Sequence, residues 1–391
     1  MSQLPWHDEL SAALANRKAA GLYRSPRLRL GEQGVNITVD GRLVLSFCSN
    51  DYLGLAAHPD IKAAFQQAVD KEGMGSGAAH LLTGHSSYHQ ALEEALAEFT
   101  GQPRALLFST GYMANLGVID ALLSRGDAVI QDKLNHASLL DGGRLTEAEQ
   151  LRYPHANMDL LHKRLHNAAR ARHRMIVSDG VFSMDGDIAP LPDIMAHARQ
   201  HRAAVLIDDA HGFGVIGKKG RGSVSHFNIA PESAPIQVGT LGKAFGTGGA
   251  FVAADDTVIE TLIQQARSYV YTTAQPPAVA AATLTSLKLV EQEDWRREQL
   301  LALIRQFRHG AAQLGLDLMP SETPIQPVVI GDDKKALAVG AALEAQGILV
   351  GVIRPPTVPK NSARLRITLS ASHSEKDVDK LLSALEQAGA Y

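Results

Sequence analysis

Cys48 is the only cysteine in 391 residues, so the chain cannot close an internal disulfide and has no cysteine spacing that would hold a metal. A reducing, intracellular setting is the expectation. No apolar stretch approaches the roughly 20 residues that span a bilayer. The segment Met1 to Arg24 carries Trp6, His7, Asp8 and Glu9 where a secretory signal needs a basic start and an apolar run, so a cytoplasmic location is expected. Lys and Arg number 38 against 41 Asp and Glu, and they are scattered rather than gathered into a stripe, which argues against nucleic acid or an anionic membrane as partner. There is no Gly-x4-Gly-Lys-Ser/Thr loop, and no Gly-x-Gly-x-x-Gly opens an early strand–helix unit, so nucleotide-phosphate and nicotinamide readings lose their usual signatures. Internal repeats and low-complexity tracts are also missing.

What is present has the balance of a globular protein of one or two domains, 45% hydrophobic and 20% charged. Leu10, Ala13, Leu14 and Ala19 recur at helical spacing between Glu9 and Leu22, ahead of Gly21 and Pro26. Two alternating runs around Asp40-Gly41 predict a hairpin. From about 60 to 292, short apolar runs alternate with helical stretches. The runs are Ala105-Leu-Leu-Phe, Ala128-Val-Ile, Met175-Ile-Val, Ala204-Val-Leu-Ile, Ile236-Gln-Val and Ala250-Phe-Val-Ala, with helical patterns at Asn115–Leu123, Met158–Ala168 and Leu191–Gln200. This alternation predicts an α/β fold with a mainly parallel central sheet covered on both faces, whose ligands sit beyond the carboxyl ends of the strands. A polar helical stretch, Glu291–Leu314, leads to a smaller C-terminal α/β lobe of strand, helix, strand, strand and helix. The expected division is 1–59 (helix and hairpin), 60–292 (large domain) and 293–391 (small domain).

Chemistry-bearing residues stand at the ends of these predicted strands. In Thr240-Leu-Gly-Lys243-Ala-Phe-Gly-Thr-Gly-Gly249 a lysine is flanked by glycines that let backbone approach a ligand. Ala204-Val-Leu-Ile-Asp208-Asp-Ala-His211 ends a strand in two carboxylates and a histidine. A carboxylate there suits a protonated heteroaromatic nitrogen, and a histidine three residues on suits a neighbouring ring oxygen. Pyridoxal phosphate (PLP) needs both, because its ring withdraws electrons only while protonated. Plainer alternatives are a helix cap for Asp209 and a metal pair for Asp208 and His211, the latter without a third ligand nearby. Phe108-Ser-Thr-Gly111-Tyr112 runs from strand into helix, where exposed N–H groups make a phosphate site. Two more such elements are Asn135-His136-Ala-Ser-Leu-Leu and Phe182-Ser183-Met-Asp-Gly-Asp187, in which His136 and Ser183 suit a flat cofactor's ring and oxygen, or are simply a helix-start histidine and a turn serine. Each motif alone is non-specific; their order at successive strand ends carries the reading.

With these motifs, and with Gly21-Leu-Tyr-Arg24, Ser49-Asn-Asp-Tyr-Leu-Gly-Leu55, Ile353-Arg-Pro-Pro-Thr357-Val-Pro and Ala363-Arg-Leu-Arg366, the chain resembles the α-oxoamine synthases over nearly its whole length. These are fold-type I PLP-dependent transferases, aspartate-aminotransferase-like, and the double proline after Arg354 resembles the branch that joins L-alanine to a pimeloyl thioester carried on coenzyme A or acyl carrier protein. The resemblance implies Lys243 as the Schiff-base lysine, Asp208 as the partner of the pyridine nitrogen, His211 and Ser183 at the ring oxygen, and His136 stacked over the ring. It implies a phosphate site from Gly111, Tyr112 and Thr240, completed by Thr273 of a neighbouring subunit in a homodimer with composite sites. It also implies that Asn50 and Arg366 hold the amino-acid carboxylate, that His136 faces the substrate, and that Arg24 and Thr357 contact the acyl chain; no metal is implied. Ala79 replaces a Ser or Thr of the relatives, leaving room for alanine's methyl, and Cys48 replaces a small hydroxyl residue, expected as a buried isostere.

Overall fold

In the computed structural model, which describes residues 4–390, an opening helix, His7–Ala19, is followed by three short strands: β1 (Arg29–Leu30), β2 (Asn36–Val39) and β3 (Arg42–Phe47). The predicted hairpin turns on Asp40 and Gly41, whose φ values of 50° and 78° are the pair of positive angles that a tight two-residue turn demands. Seven strands follow: β4 (Arg104–Phe108), β5 (Ala128–Asp132), β6 (Glu149–Tyr153), β7 (Arg174–Asp179), β8 (Ala204–Asp208), β9 (Ile236–Thr240) and β10 (Ala250–Ala254). They form one sheet in the order β4-β10-β9-β8-β7-β5-β6, in which β10 runs antiparallel to both neighbours and every other pairing is parallel. The mainly parallel sheet expected from the sequence is therefore present. Its two faces are both buried: Val129, Met175, Val177 and Leu206 pack into one apolar cluster, while the alternate residues Ile130, Ile176, Val205 and Ile207 pack into another. The strand β6 was absent from the expectation, because as an edge strand it buries only Tyr153 fully and reads as polar.

The last three strands, β11 (Ile325–Gly331), β12 (Ile348–Ile353) and β13 (Ala363–Thr368), supply the three strands expected of the C-terminal lobe. The segment 1–59, expected to stand apart, does not. Its hairpin completes the C-terminal lobe in the order β1-β2-β3-β12-β13-β11, with β3 running parallel to β12 and Leu45 opposite Ile348. Pairing satisfies strand edges that would otherwise be left with open N–H and C=O groups. The stretch 291–314 is also divided, one helix ending at Gln292 and the next, Asp294–Gln313, starting after Glu293. The first helix, His7–Ala19, buries none of its residues, so the apolar spacing of Leu10 and Leu14 meets no core within the described chain. Among the described residues no helix is long and apolar enough to cross a membrane.

For the site, one consequence of this topology matters most. The neighbouring parallel strands β5, β7, β8 and β9 end on Asp132, Asp179, Asp208 and Thr240, so four polar side chains converge on one edge of the sheet.

Candidate active site

Asp208 closes β8 as a buried carboxylate. Its Oδ1 accepts the Ala210 N–H at 3.0 Å and its Oδ2 accepts the Asn115 amide at 2.6 Å, which together fix the orientation of the group. Three residues past β9, the Lys243 Nζ donates to Nε2 of His211 at 2.8 Å. Burial, partly opposed by the carboxylates of Asp208 and Asp179, draws the Lys243 amine down to about 8. His211 is held neutral by burial first and by the cations Lys243 and Arg366 second. A lysine so depressed is a nucleophile or base within reach of neutral pH.

From His211 a polar chain runs outward. Its Nδ1 lies 2.7 Å from the hydroxyl of Tyr52, which donates to Asn50 Oδ1 at 3.1 Å. Arg366 Nη2 donates to the same oxygen at 3.2 Å, and Arg366 Nε donates to the Ser183 carbonyl at 2.6 Å. Two residues that the sequence placed at a carboxylate site, Asn50 and Arg366, are thus joined to the lysine through a buried tyrosine that the sequence reading passed over. Burial raises the Tyr52 phenol to about 12, so it stays protonated and serves as a link. Ser183 sits on a turn braced from beneath: Asp185 pairs with the buried Arg364, and Asp187 accepts from Nε2 of His155 at 2.8 Å.

The other wall is the helix Gly111–Leu122. Thr110 caps it by accepting the Met113 N–H, which leaves the amides of Gly111 and Tyr112 unpartnered at the positive end of the helix. A Cβ built on Gly111 would come within 4.0 Å of the Thr240 side chain, so these two predicted phosphate residues face one another. His136 starts the next helix, its exposed ring 6.4 Å from that of Tyr112, edge to face. Its Nδ1 meets Ser138 Oγ at 2.8 Å, and Ser138 Oγ accepts the second Asn115 hydrogen at 2.9 Å. Its own N–H donates to Asp179, whose carboxyl is pushed well up by burial and then by neighbouring Asp208.

Asp209, offered as a helix N-cap, holds no N-cap position; the N-cap of Gly222–His226 is Arg221, and Asp209 Oδ2 instead accepts both the backbone N–H and the hydroxyl of Ser223 in that helix's first turn. Cys48, expected buried, is half-buried, its Sγ 3.4 Å from Ser46 Oγ. Arg24 and Thr357 are both exposed, and no described contact joins either to Lys243. Their segments do touch, since Arg354 Nη1 donates to the Gly21 carbonyl at 3.0 Å. Thr273, also exposed, lies instead beside the glycine-rich stretch that holds Ala79, where the Ala274 N–H donates to Ala78 O at 3.0 Å and Ser76 Oγ to Gln275 O at 2.5 Å. Neither reaches the lysine of its own chain among the described contacts. Ala79 opens a π-turn, His80–Gly84, in which a Cβ at Gly84 would fall 2.0 Å from the Ala78 carbonyl. Of the histidines clustered at this turn, His80, His85 and His89, the last gives Nε2–H to Gln275 O and accepts the Ser86 N–H at Nδ1.

These groups suit a phosphorylated heteroaromatic cofactor: unpartnered amides for the phosphate, a buried carboxylate for a ring nitrogen, and an amine of lowered basicity for a carbonyl carbon. A family model described as aminotransferase class I and II matches residues 42–385. The 8-amino-7-oxononanoate synthase of Nitrosococcus oceani is 61% identical over 374 residues, 96% of this chain and 99% of that protein. The enzyme of the same name from Pseudomonas aeruginosa is 56% identical over 380 residues, 97% and 94% of the two chains. A solved serine palmitoyltransferase variant from S. paucimobilis with a bound PLP–myriocin aldimine superposes with a TM-score of 0.92 at 32% identity, covering 100% of this chain and 98% of that one.

Proposed function

The chain belongs to the class I and II aminotransferase family, and within it to the PLP-dependent acyltransferases called 8-amino-7-oxononanoate synthases, and from this premise we propose that it condenses L-alanine with a pimeloyl thioester. Carbon dioxide and free thiol are the other products, the step serves biotin synthesis, and the working form is a cytoplasmic homodimer. The observation that carries the chemistry is the Lys243 amine, drawn to about 8 and set at the strand ends beside buried Asp208.

The residues fit PLP. Lys243 Nζ would hold it covalently, Asp208 would face the ring nitrogen, His211 and Ser183 the ring oxygen, and the amides of Gly111 and Tyr112 with Thr240 the phosphate, joined by Thr273 from the partner subunit. When bound, PLP supplies an electron sink conjugated with the amino acid's Cα. Once freed, Lys243 would take the Cα proton at Nζ, because its lowered basicity leaves a usable fraction neutral at pH 7. Arg366, with Nε and Nη2 committed to Ser183 and Asn50, presents its Nη1 edge to the substrate carboxylate. Arg24 and Thr357 approach the acyl chain from the outer edge, where Arg354 ties their segments together. Protonated Lys243 then returns its proton to product carbon.

Mass spectrometry of products from L-alanine with pimeloyl-coenzyme A or pimeloyl-acyl carrier protein tests this reading. A second reading, serine or glycine with another acyl thioester, draws on the likeness to serine palmitoyltransferase and forms the comparison arm. Formation of 8-amino-7-oxononanoate, at a kcat/KM for alanine at least tenfold above serine and glycine, is expected. Preference for serine or glycine would overturn it.

A further inference from the structure

The row Asp208, Asn115, Ser138, His136 admits one assignment of its hydrogens. Nδ2 of Asn115 donates to Asp208 Oδ2 at 2.6 Å and to Ser138 Oγ at 2.9 Å, using both of its hydrogens. A flipped amide would set its oxygen against a carboxylate oxygen, acceptor against acceptor, so Asp208 dictates the amide's orientation. Ser138 Oγ accepts from Asn115 and has one hydrogen to give. That hydrogen points along the 2.8 Å contact to His136 Nδ1. The backbone N–H of Ser138 donates to the same nitrogen at 3.3 Å. With two donors aimed at it, Nδ1 carries the lone pair.

Two further observations agree. Asn115 and Ser138 are fully buried, so the middle of the row is closed to solvent. Asn115 Oδ1 is buried without a partner, an unfavourable arrangement that persists only where the amide's hydrogens are needed on the other side. Desolvation at its inward edge lowers the basicity of His136, opposed by Asp208 and aided by the Lys243 cation, which favours the neutral ring.

We propose that Asn115 and Ser138 are positioning residues that present His136 as its neutral Nε2–H tautomer, a fixed hydrogen-bond donor toward substrate that cannot act as a base. The identity of what His136 faces rests on the proposed PLP reading; the tautomer does not. The consequence is a division of labour. His136 orients, and the Cα proton has Lys243 as its only acceptor.

The test is solid-state 15N NMR of the holoenzyme labelled with 15N-histidine, the His136 signals being identified by their loss in His136→Asn. At neutral pH, Nδ1 is expected as a hydrogen-bonded pyridine-type nitrogen and Nε2 as a pyrrole-type nitrogen. Ser138→Ala should move the Nδ1 signal toward the value of a pyridine-type nitrogen without that bond, and lower kcat at least fivefold while amino-acid KM changes less than twofold. Ser138→Thr, which keeps the hydroxyl, should restore the signal. An Nδ1–H tautomer or an imidazolium in the unsubstituted protein overturns the proposal, as does an unmoved Nδ1 signal in Ser138→Ala. The unsubstituted spectrum decides even where a variant does not fold. Failure of the PLP reading would show separately, as a missing borohydride-reducible visible band with the tautomer as expected.

Discussion

Lys243 is held near neutrality by its surroundings, and this sets a pH dependence that the free amino acid would not have. Only the neutral amine attacks a carbonyl, and its fraction grows tenfold per pH unit below the group's midpoint. The rate at which apoprotein captures PLP should therefore climb from pH 6 and level off above about 8, measured by the growth of the bound cofactor's visible absorption. A midpoint near 10 would show that burial does not act on the amine as described. Arg366→Lys tests the carboxylate contact at the same scale. A lysine lacks the fork that reaches Ser183 O and Asn50 together, so amino-acid KM should rise roughly 10- to 100-fold with acyl-thioester KM little changed. That Lys243, Asp208 and His211 stand together was legible in the sequence because Asp208 closes an apolar strand and the other two lie three residues beyond one. Tyr52, Asn115 and Ser138 were not. Tyr52 meets His211 across 159 positions and Asn115 meets Asp208 across 93, and spacing along a chain carries no trace of such pairings until the strands are ordered.

At the level of elements, the turn carrying Ser183 depends on His155, which bridges Asp132 at the end of β5 to Asp187. Burial, the largest single influence, lowers the basicity of His155, but hydrogen bonds to Asp132 and then Asp187 outweigh it and raise the group to about 10. The folded value lies above the unfolded value near 6.5, so the stabilisation is complete below pH 6.5 and is lost as pH rises through 10. His155→Gln should cost roughly 2–4 kcal/mol at pH 7 in denaturant titrations, with the gap to the unsubstituted protein narrowing as pH rises from 6.5 to about 10 and levelling off beyond. A gap that does not change with pH would contradict the ionic account. The strands flanking this network were readable from their sequence because fully buried strands are continuous apolar runs. The edge strand β6 and the π-turn at His80–Gly84 were not, the first because solvent takes most of its side chains and the second because its geometry rests on backbone contacts to Ala78 and Ala79.

At the scale of the whole molecule, the N-terminal strands close the C-terminal sheet, so Asn50 and Tyr52 approach the site from the same lobe as Arg366. The sequence showed both lobes but not this pairing, because β3 and β12 meet across some three hundred residues without a turn between them. Thr273 is exposed, and its neighbour Ala274 donates its N–H to Ala78 O in the glycine-rich stretch. If Thr273 serves the partner's phosphate site, then mixed dimers of Lys243→Ala with an inactive Thr273 variant regain one intact site. Co-expressing the two should recover activity that neither shows alone, and absence of recovery in verified mixed dimers would place Thr273 elsewhere. The claim on which all of this stands is that Lys243 holds PLP. Borohydride reduction of the holoenzyme, proteolysis and mass spectrometry test it directly: a phosphopyridoxyl group on the peptide containing Lys243, and on no other lysine, is predicted, and the label on another residue, or on none, would contradict it.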